Sequence, residues 1–396
     1  MMGNKAQARE LAINTGIPVI PGTNEPLKDK RQALKFAEKS GYPVILKASS
    51  GGGGKGMRKV DNKKELEKAY DAVKVEAKAS FNDDSIYIEK YLEKPRHIEF
   101  QILADKFGNV IHLGERECSI QRRHQKLIEE APSSALDDNM REKIGEVAKK
   151  VASAVHYEGA GTVEFLLDKR KSFYFMEMNT RIQVEHGITE MVTGVDLVKE
   201  QIKLAAGAKL AYEQADITID GWAIEARINA EDPSNGFNPS TGTITTYIVP
   251  GGPGIRVCSS CHSGHIISPY YDSMISKLMC KGKTREEAIA RTKRALNEYI
   301  IEGVDTTISF HQAVLNNKEF LKGNMSTSFI EQNKIIEKLA KSKKKKKPLS
   351  QKEKMLIVST AISKYYETKP KSYSSSRWAA AGRNELMGQQ QEETSF

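Results

Sequence analysis

Apolar positions along the chain recur with two different periods, and the order in which those periods alternate predicts a mixed fold. Over 28–40 the residues Ala33, Leu34, Phe36 and Ala37 repeat at helical spacing, and Gly41 closes the helix. A strand is predicted over 42–48, a glycine loop over 51–56, a short strand over 57–60 and a charged helix over 63–78. From Ser85 the period drops to two. IYIEKYL, HIEFQILAD and NVIHLGERECSIQ read as strands, with 106–109 as a turn. A helix over 137–154 opens on aspartate and carries its basic residues late, as the helix dipole favours. TVEFLLD and SFYFMEMN read as a hairpin, helix returns over 187–206, and strands follow over 223–230 and 242–249. Another amphipathic helix is predicted over 284–299. After Phe329 the chain turns polar, so the body is expected to end near Asn333, with one more helix over 350–366. No repeat of solenoid length interrupts this α+β pattern.

Composition narrows the picture. A chain of 396 residues with ordinary apolar and charged fractions is long enough for two or three compact subdomains. It holds no run of about 18 apolar residues. Its first residues, MMGNKAQARE, lack the apolar core of a secretory signal, so a cytoplasmic protein without a membrane partner is expected. The formal charge of +10 raises a nucleic-acid reading, but 334–396 holds 15 Lys and Arg against 6 Asp and Glu, a net +9. The charge is therefore a tail, centred on a lysine run over 343–347 that ends at Pro348, and is expected to be a solvated linker with no nucleic-acid partner. The four cysteines are too few and too uneven for a disulfide framework. Cys258-Ser-Ser-Cys261-His262 matches a haem-attachment pattern, yet one CxxC is only half a zinc site, and the match is set aside.

Four stretches carry candidate chemistry. LKASSGGGGKGM contains glycines at 51, 53 and 56, but the loop opens a strand, unlike a Rossmann turn, and no Ser or Thr follows its lysine. Such a loop is either a plain turn or bare amides that close over phosphates. Lys47 in the apolar strand beside it requires an anionic partner or a path to solvent. In the hairpin over 162–179, a loop at 169–172 places Glu164 opposite Glu177, with Asn179 on the same face. Carboxylates about 5 Å apart repel unless a cation lies between them, and three oxygen ligands on one face suit magnesium. If the chain stays extended, Arg181, Gln183 and Glu185 continue that row toward an oxyanion and a base. ERECSIQRRHQK, read as extended, puts Arg122, His124 and Lys126 on one side and Gln121, Arg123 and Gln125 on the other, a density of donors suited to polyphosphate or carboxyphosphate.

Together with MGNK, IEKYLEKPRHIEFQ, IEARINAEDP and PYYDSMISKL, these stretches resemble biotin carboxylases of the ATP-grasp superfamily over nearly all of 3–333. The resemblance implies an ATP-grasp fold: a remnant of the preceding domain (1–20), a lid subdomain (21–90), a catalytic subdomain (91–220), a biotin carboxylase C-terminal subdomain (221–333), and a linker and tail (334–396). It implies that Lys5, Lys47, Gly53, Gly54, Glu89, Lys90, Leu92, His97, Gln121 and His124 bind ATP. Glu164, Glu177 and Asn179 match metal positions for Mg2+ or Mn2+. Lys126, Arg181, Gln183, Val184 and Glu185 match a bicarbonate site, and Arg227 matches the arginine beside biotin. Glu185 would deprotonate bicarbonate for attack on ATP, giving carboxyphosphate, and the phosphate it releases would deprotonate biotin. With no AMKM-like attachment site, biotin is expected on a separate biotin carboxyl carrier protein. The further partner implied is a carboxyltransferase subunit, and the assembly a homodimer. The family carries a further domain, on the order of a hundred residues, ahead of MGNK, and this chain is expected to lack most of it. Gly187 stands where proline is usual. The stretch over 374–388 faintly resembles small chains of biotin-dependent decarboxylases, which would make it a docking element. Competing readings are a truncated nucleotide-binding fragment and another ATP-grasp carboxylate–amine ligase.

Overall fold

A computed structural model describes residues 5–49, 56–345 and 350–368. The first element, α1 (Lys5–Asn14), is not flagged by apolar periodicity because it buries little beyond Ala8 and Ala12, one turn apart on one face. α2 (Lys30–Ser40) begins where the Asp29 carboxylate accepts from the Gln32 amide, and it buries Ala33 and Ala37. β1 (Val44–Ala48), β2 (Met57–Val60) and β3 (Ile86–Lys90) form a small antiparallel sheet in the order β2-β1-β3. α3 (Lys63–Phe81), capped by Asn62, lays Leu66, Tyr70, Val73 and Ala77 into a core shared with Val44, Leu46, Ile86 and Ile88.

The second sheet is larger. It contains β4 (Arg96–Ala104), β5 (Val110–Arg122), β6 (Gln125–Ala131), β7 (Gly159–Leu167), β8 (Phe173–Asn179), β9 (Trp222–Asn229), β10 (Ile255–Ser259) and β11 (Met274–Gly282). Their order is β10-β11-β9-β6-β5-β4-β7-β8, so one sheet runs through strands from both sides of residue 220. Alternation does not reveal β6 or β11, because both are largely buried on both faces, and in β6 polar and apolar residues fall in adjacent pairs, Leu127 with Ile128 and Glu129 with Glu130.

α4 (Asp138–Ala154) covers one face of β4 and β5. In place of one helix over 187–206 there are two, α5 (His186–Thr193) and α6 (Leu197–Ala205). Gly194, at φ 76°, ends the first, and Asp196 caps the second. α7 (Arg285–Glu298), α8 (Ile308–Leu315), α9 (Lys318–Leu321) and α10 (Phe329–Gln332) close the C-terminal core around Phe310, Phe320 and Phe329. The body does not stop at Asn333. α11 (Ile335–Lys345) buries Ile335 and packs Leu339 on the same core, so the lysine run begins inside a docked helix. Met1–Lys341 form one compact unit and Ser342–Phe396 a second, in which α12 (Gln351–Thr368) is described. The stretch over 374–388 lies outside the described residues. No described helix is long and apolar enough to cross a membrane.

Candidate functional site

Strand register gathers the charged side chains. β7 and β8 pair Glu164 with Glu177 and Thr162 with Asn179. The turn between them is one residue shorter than a loop at 169–172, since the Asp168 amide donates to the Ser172 carbonyl, and a bulge at Met176 restores the expected pairing. Asn179 Nδ2 donates to Glu164 Oε1 at 3.0 Å. Across β7 and β4 Glu164 faces Glu99, and across β4 and β5 Glu99 faces Arg116. One polar row therefore crosses four strands.

Lys126 lies at its centre. Its ammonium donates to Glu99, to Glu164 Oε1 at 3.0 Å and to Glu185 Oε1 at 2.7 Å. Arg227 on β9 holds the other Glu185 oxygen at 2.8 Å and binds Glu129 through Nε at 2.6 Å. Arg116, fully buried, donates to Glu99, Gln101, Thr162 and Thr189. Burial alone would raise the Glu185 carboxyl, but Lys126, Arg227 and Arg116 outweigh it and hold the group well below the usual carboxylate range. Burial likewise opposes ionisation of Glu164, yet His97 and Lys126 pull it down to about 2. The same carboxylates push the Lys126 ammonium up against the burial that would lower it. His97 Nε2 sits 3.2 Å from Glu164 Oε2 without hydrogen-bond geometry.

The helices α5 and α8 begin without a side-chain cap, and both N-cap residues serve Arg227 instead. Glu185 precedes α5 and binds the guanidinium. Thr307 precedes α8 and donates to the Arg227 carbonyl at 2.8 Å, which His311 Nε2 also reaches at 2.7 Å. Each helix forgoes a cap worth about 1 kcal/mol.

Two extended rows read from the sequence are not extended. β8 is an edge strand that ends at Asn179, and the chain then turns inward, with the His186 amide donating to the Gln183 carbonyl. The turn carries Glu185 inward to its two cations. Parity fails there: Gln183 and Glu185 are buried, Arg181 is exposed, and the Val184 carbonyl accepts from Lys277 Nζ at 2.7 Å. RRHQK folds back at Arg123 and His124, both in the left-handed region at φ 49° and 67°. That conformation costs side-chain-bearing residues on the order of 1–3 kcal/mol each. The reversal pairs Gln121 with Lys126 on one face, where an extended chain would separate them, and leaves His124 exposed at the tip.

The small sheet presents a second cluster. Glu89 on β3 receives Lys47 Nζ at 2.5 Å and Arg9 Nη1 at 3.2 Å, so the anion beside Lys47 in this structure is a carboxylate. Lys90 Nζ donates to the Gly41 and Tyr42 carbonyls, each at 3.0 Å, and Leu92 is half-buried in the connection to β4. Gly53 and Gly54 lie outside the described residues, as does the side chain of Lys5 at the start of α1.

Sequence reasoning passed over Glu99, Arg116, Glu129 and Glu225. Alternation of His97, Glu99 and Gln101 in HIEFQ could have pointed to Glu99. Glu129 could not be found by parity, because a register shift beside Ile120 lets Lys126 and Glu129, three residues apart, serve one cluster. The CxxCH match is no metal site: Cys258 packs with Met191 and Met279, whereas Cys261 packs in the separate C-terminal core. Gly187 packs where a Cβ would lie 2.4 Å from Met279 Sδ, so that methionine fills the space a side chain would take.

The chain matches two family models, "Carbamoyl-phosphate synthase L chain, ATP binding domain" over residues 4–213 and "Biotin carboxylase C-terminal domain" over 225–332. It is 54% identical over 332 residues to the biotin carboxylase of Nostoc sp., covering 84% of this chain and 74% of that one. It is also 54% identical to biotin carboxylase 1 of Bacillus subtilis, over 83% of this chain and 74% of the other. Among solved structures it resembles the biotin carboxylase domain dimer of Hydrogenobacter thermophilus 2-oxoglutarate carboxylase in complex with MgADP, ADP and bicarbonate. That match has a TM-score of 0.81 and 50% identity, over 85% of this chain and 74% of that one. A Campylobacter jejuni biotin carboxylase–β,γ-ATP complex matches with a TM-score of 0.80 and 50% identity, over 84% and 74%.

Proposed function

The chain belongs to the biotin carboxylase family of ATP-grasp ligases, and we propose that it activates bicarbonate with ATP and carboxylates biotin on the floor formed by Lys126, Glu185 and Arg227. The observation that carries this reading is their convergence from β6, the turn before α5, and β9 on one buried carboxylate.

Glu185 is the base. Held ionised by two cations, it accepts a proton weakly until a new anion draws those cations away. Bicarbonate is such an anion: bound by Lys126, Arg181, Gln183 and the Val184 backbone, it engages the Lys126 ammonium and leaves Glu185 free to take its proton. The Gln183 Nε2 group, buried without a partner among the described residues, supplies a ready donor. The bicarbonate oxygen then attacks the γ-phosphate of ATP, giving carboxyphosphate and ADP. Carboxyphosphate breaks to carbon dioxide and phosphate, the phosphate takes the N1 proton of biotin, and Arg227 stabilises the oxygen of the ureido anion as N1 attacks carbon dioxide.

ATP binds between the small sheet and the large one, through Lys47, Lys90, Glu89, Leu92, His97, Gln121 and His124, with Lys5 and the loop glycines. Polyphosphate competes with Glu89 for Lys47. Glu164, Glu177 and Asn179 suit a divalent cation, because two carboxylates in register beside an amide form an oxygen donor set for Mg2+ or Mn2+. Such an ion would offset phosphate charge. Residues 21–90 act as the lid, 91–220 as the catalytic part and 221–333 as the biotin-side part. Biotin arrives on a separate carrier protein, the carboxyl group leaves to a carboxyltransferase, and the body pairs as a homodimer.

The test is ADP release by the purified chain with MgATP. Release that needs bicarbonate and accelerates with free biotin is expected; release indifferent to both would refute the proposal.

A further inference from the structure

β6 and β9 set Glu129 directly opposite Glu225. Both side chains are wholly buried, and among the described residues three of their four carboxyl oxygens, Glu129 Oε2 and both of Glu225, have no hydrogen-bond partner. The fourth oxygen accepts from Arg227, which also grips Glu185. The row Glu225, Glu129, Arg227, Glu185 is therefore continuous and ends on the proposed base. Two ionised carboxylates opposed at about 5 Å repel each other, and an ionised one without partners costs several kcal/mol in the interior. A single shared proton removes both penalties, as in like-charged carboxyl pairs generally.

We infer that Glu129 and Glu225 are a proton-sharing carboxyl pair that positions Arg227 and thereby sets how readily Glu185 takes a proton. The surrounding cations are hydrogen-bonded to other groups. From β6, Lys126 is committed to Glu99, Glu164 and Glu185. From β11, Lys277 lies opposite Arg227 but donates a hydrogen bond to the Val184 carbonyl. β5 contributes Arg116, bound to Glu99, and the Cys118 thiol, which burial pushes up. α5 contributes His186, whose Nδ1 contacts the Gln183 carbonyl, and Glu190, paired with Arg256. Among the described residues no cation hydrogen-bonds Glu225, although Lys277 and Arg227 pull its carboxyl down from a distance. The titration agrees: burial pushes Glu129 up to about 7 against the opposing pull of Arg227, and burial followed by Glu129 itself pushes Glu225 well above the carboxylate range.

While the pair holds its proton, Arg227 leans on Glu185 and weakens the base. When the proton leaves, the full charge on Glu129 draws Arg227 away, and Glu185 regains basicity. The pair therefore makes bicarbonate-dependent ATP cleavage rise with pH through neutrality. This role rests on Glu185 acting as the base.

Glu225→Gln preserves shape and removes the second acid, so Glu129 ionises at lower pH. The acid limb of kcat against pH is expected to move down by about one unit. Glu129→Gln keeps an acceptor for Arg227 but no charge; kcat is expected to fall about tenfold with KM for ATP unchanged. Infrared spectroscopy reads the proton without turnover. Wild-type protein at pH 7 is expected to show a buried carboxylic-acid C=O component, beside that of Glu130, which is missing from Glu225→Gln. Should that variant not fold, loss or shift of the band in Glu129→Gln decides the same point. A band and an acid limb identical in wild type and variants would overturn the carboxyl pair. Absence of biotin-stimulated ADP release with the band present would instead overturn only the catalytic reading.

Discussion

Glu129 and Glu130 are neighbours on β6, both fully buried and both raised by burial to about 7, yet they serve opposite faces of the large sheet in different ways. Glu130 meets one guanidinium. Arg285 donates to it at 2.9 Å and spends its other nitrogens on the Phe320 and Leu321 carbonyls at the end of α9. Glu117 with Arg96 repeats that one-to-one pattern on the same face, and Glu115 takes Arg141, which also reaches the exposed Asp138. On the face of Glu129 two cations are shared, Lys126 among three carboxylates and Arg227 between two, while Arg116 holds Glu99 alone. One-to-one buried pairs are closed, and their role is to hold C-terminal helices and α4 on the sheet. Shared cations can pass between partners, which is what a site receiving bicarbonate and phosphate requires.

Substitutions on the two faces should therefore fail differently. On the shared face, Glu185→Gln is expected to lower bicarbonate-dependent ATP cleavage by about 10²- to 10⁴-fold while the affinity for ATP, measured by calorimetry, stays within twofold or so. On the paired face, Arg285→Ala leaves Glu130 buried and unpaired and should cost about 3–5 kcal/mol of stability, seen as a lower urea midpoint, with kcat per folded molecule unchanged. Activity lost without destabilisation in that variant would erase the distinction. Acid titration probes the shared face next. Glu164 has a folded-state pKa of about 2, below the ordinary 4.5, so its contribution is complete above about pH 4.5 and is lost as pH falls toward 2. The contribution is at most about 3 kcal/mol, and in Glu164→Gln the acid loss of stability should be correspondingly smaller. The smallest effect belongs to the small sheet. Lys47→Met should raise KM for ATP about tenfold, roughly 1.4 kcal/mol, with kcat changed less, because Arg9 still holds Glu89.

Much of this arrangement could be read from residue order. Alternation in TVEFLLD and SFYFMEMN located the Glu164–Glu177 pair, although the turn is a residue shorter than supposed and the Met176 bulge makes up the difference. The aspartate at 137 marked a helix start because its carboxylate binds the backbone amide three residues on, as Asp29 and Asn62 also do at the starts of α2 and α3. What stayed hidden depends on chain reversal and tertiary partners. Nothing in TRIQVEH announces that the chain turns at Asn179, since the turn is held by Lys277 and the cations around Glu185, all remote in sequence. The Arg123–His124 turn lacks the Asn or Gly that normally signals such geometry. Glu129 was hidden by the register shift, and Glu225 by looking like any polar position of a half-exposed strand.

The central claim is that Glu185 turns bicarbonate into the nucleophile that attacks ATP. Turnover in 18O-labelled bicarbonate with MgATP and biotin tests it most directly, by mass analysis of the phosphate released. Transfer of bicarbonate oxygen into phosphate, in step with ADP formation and lost in Glu185→Gln, is the expected result; phosphate free of label while ADP accumulates would contradict it.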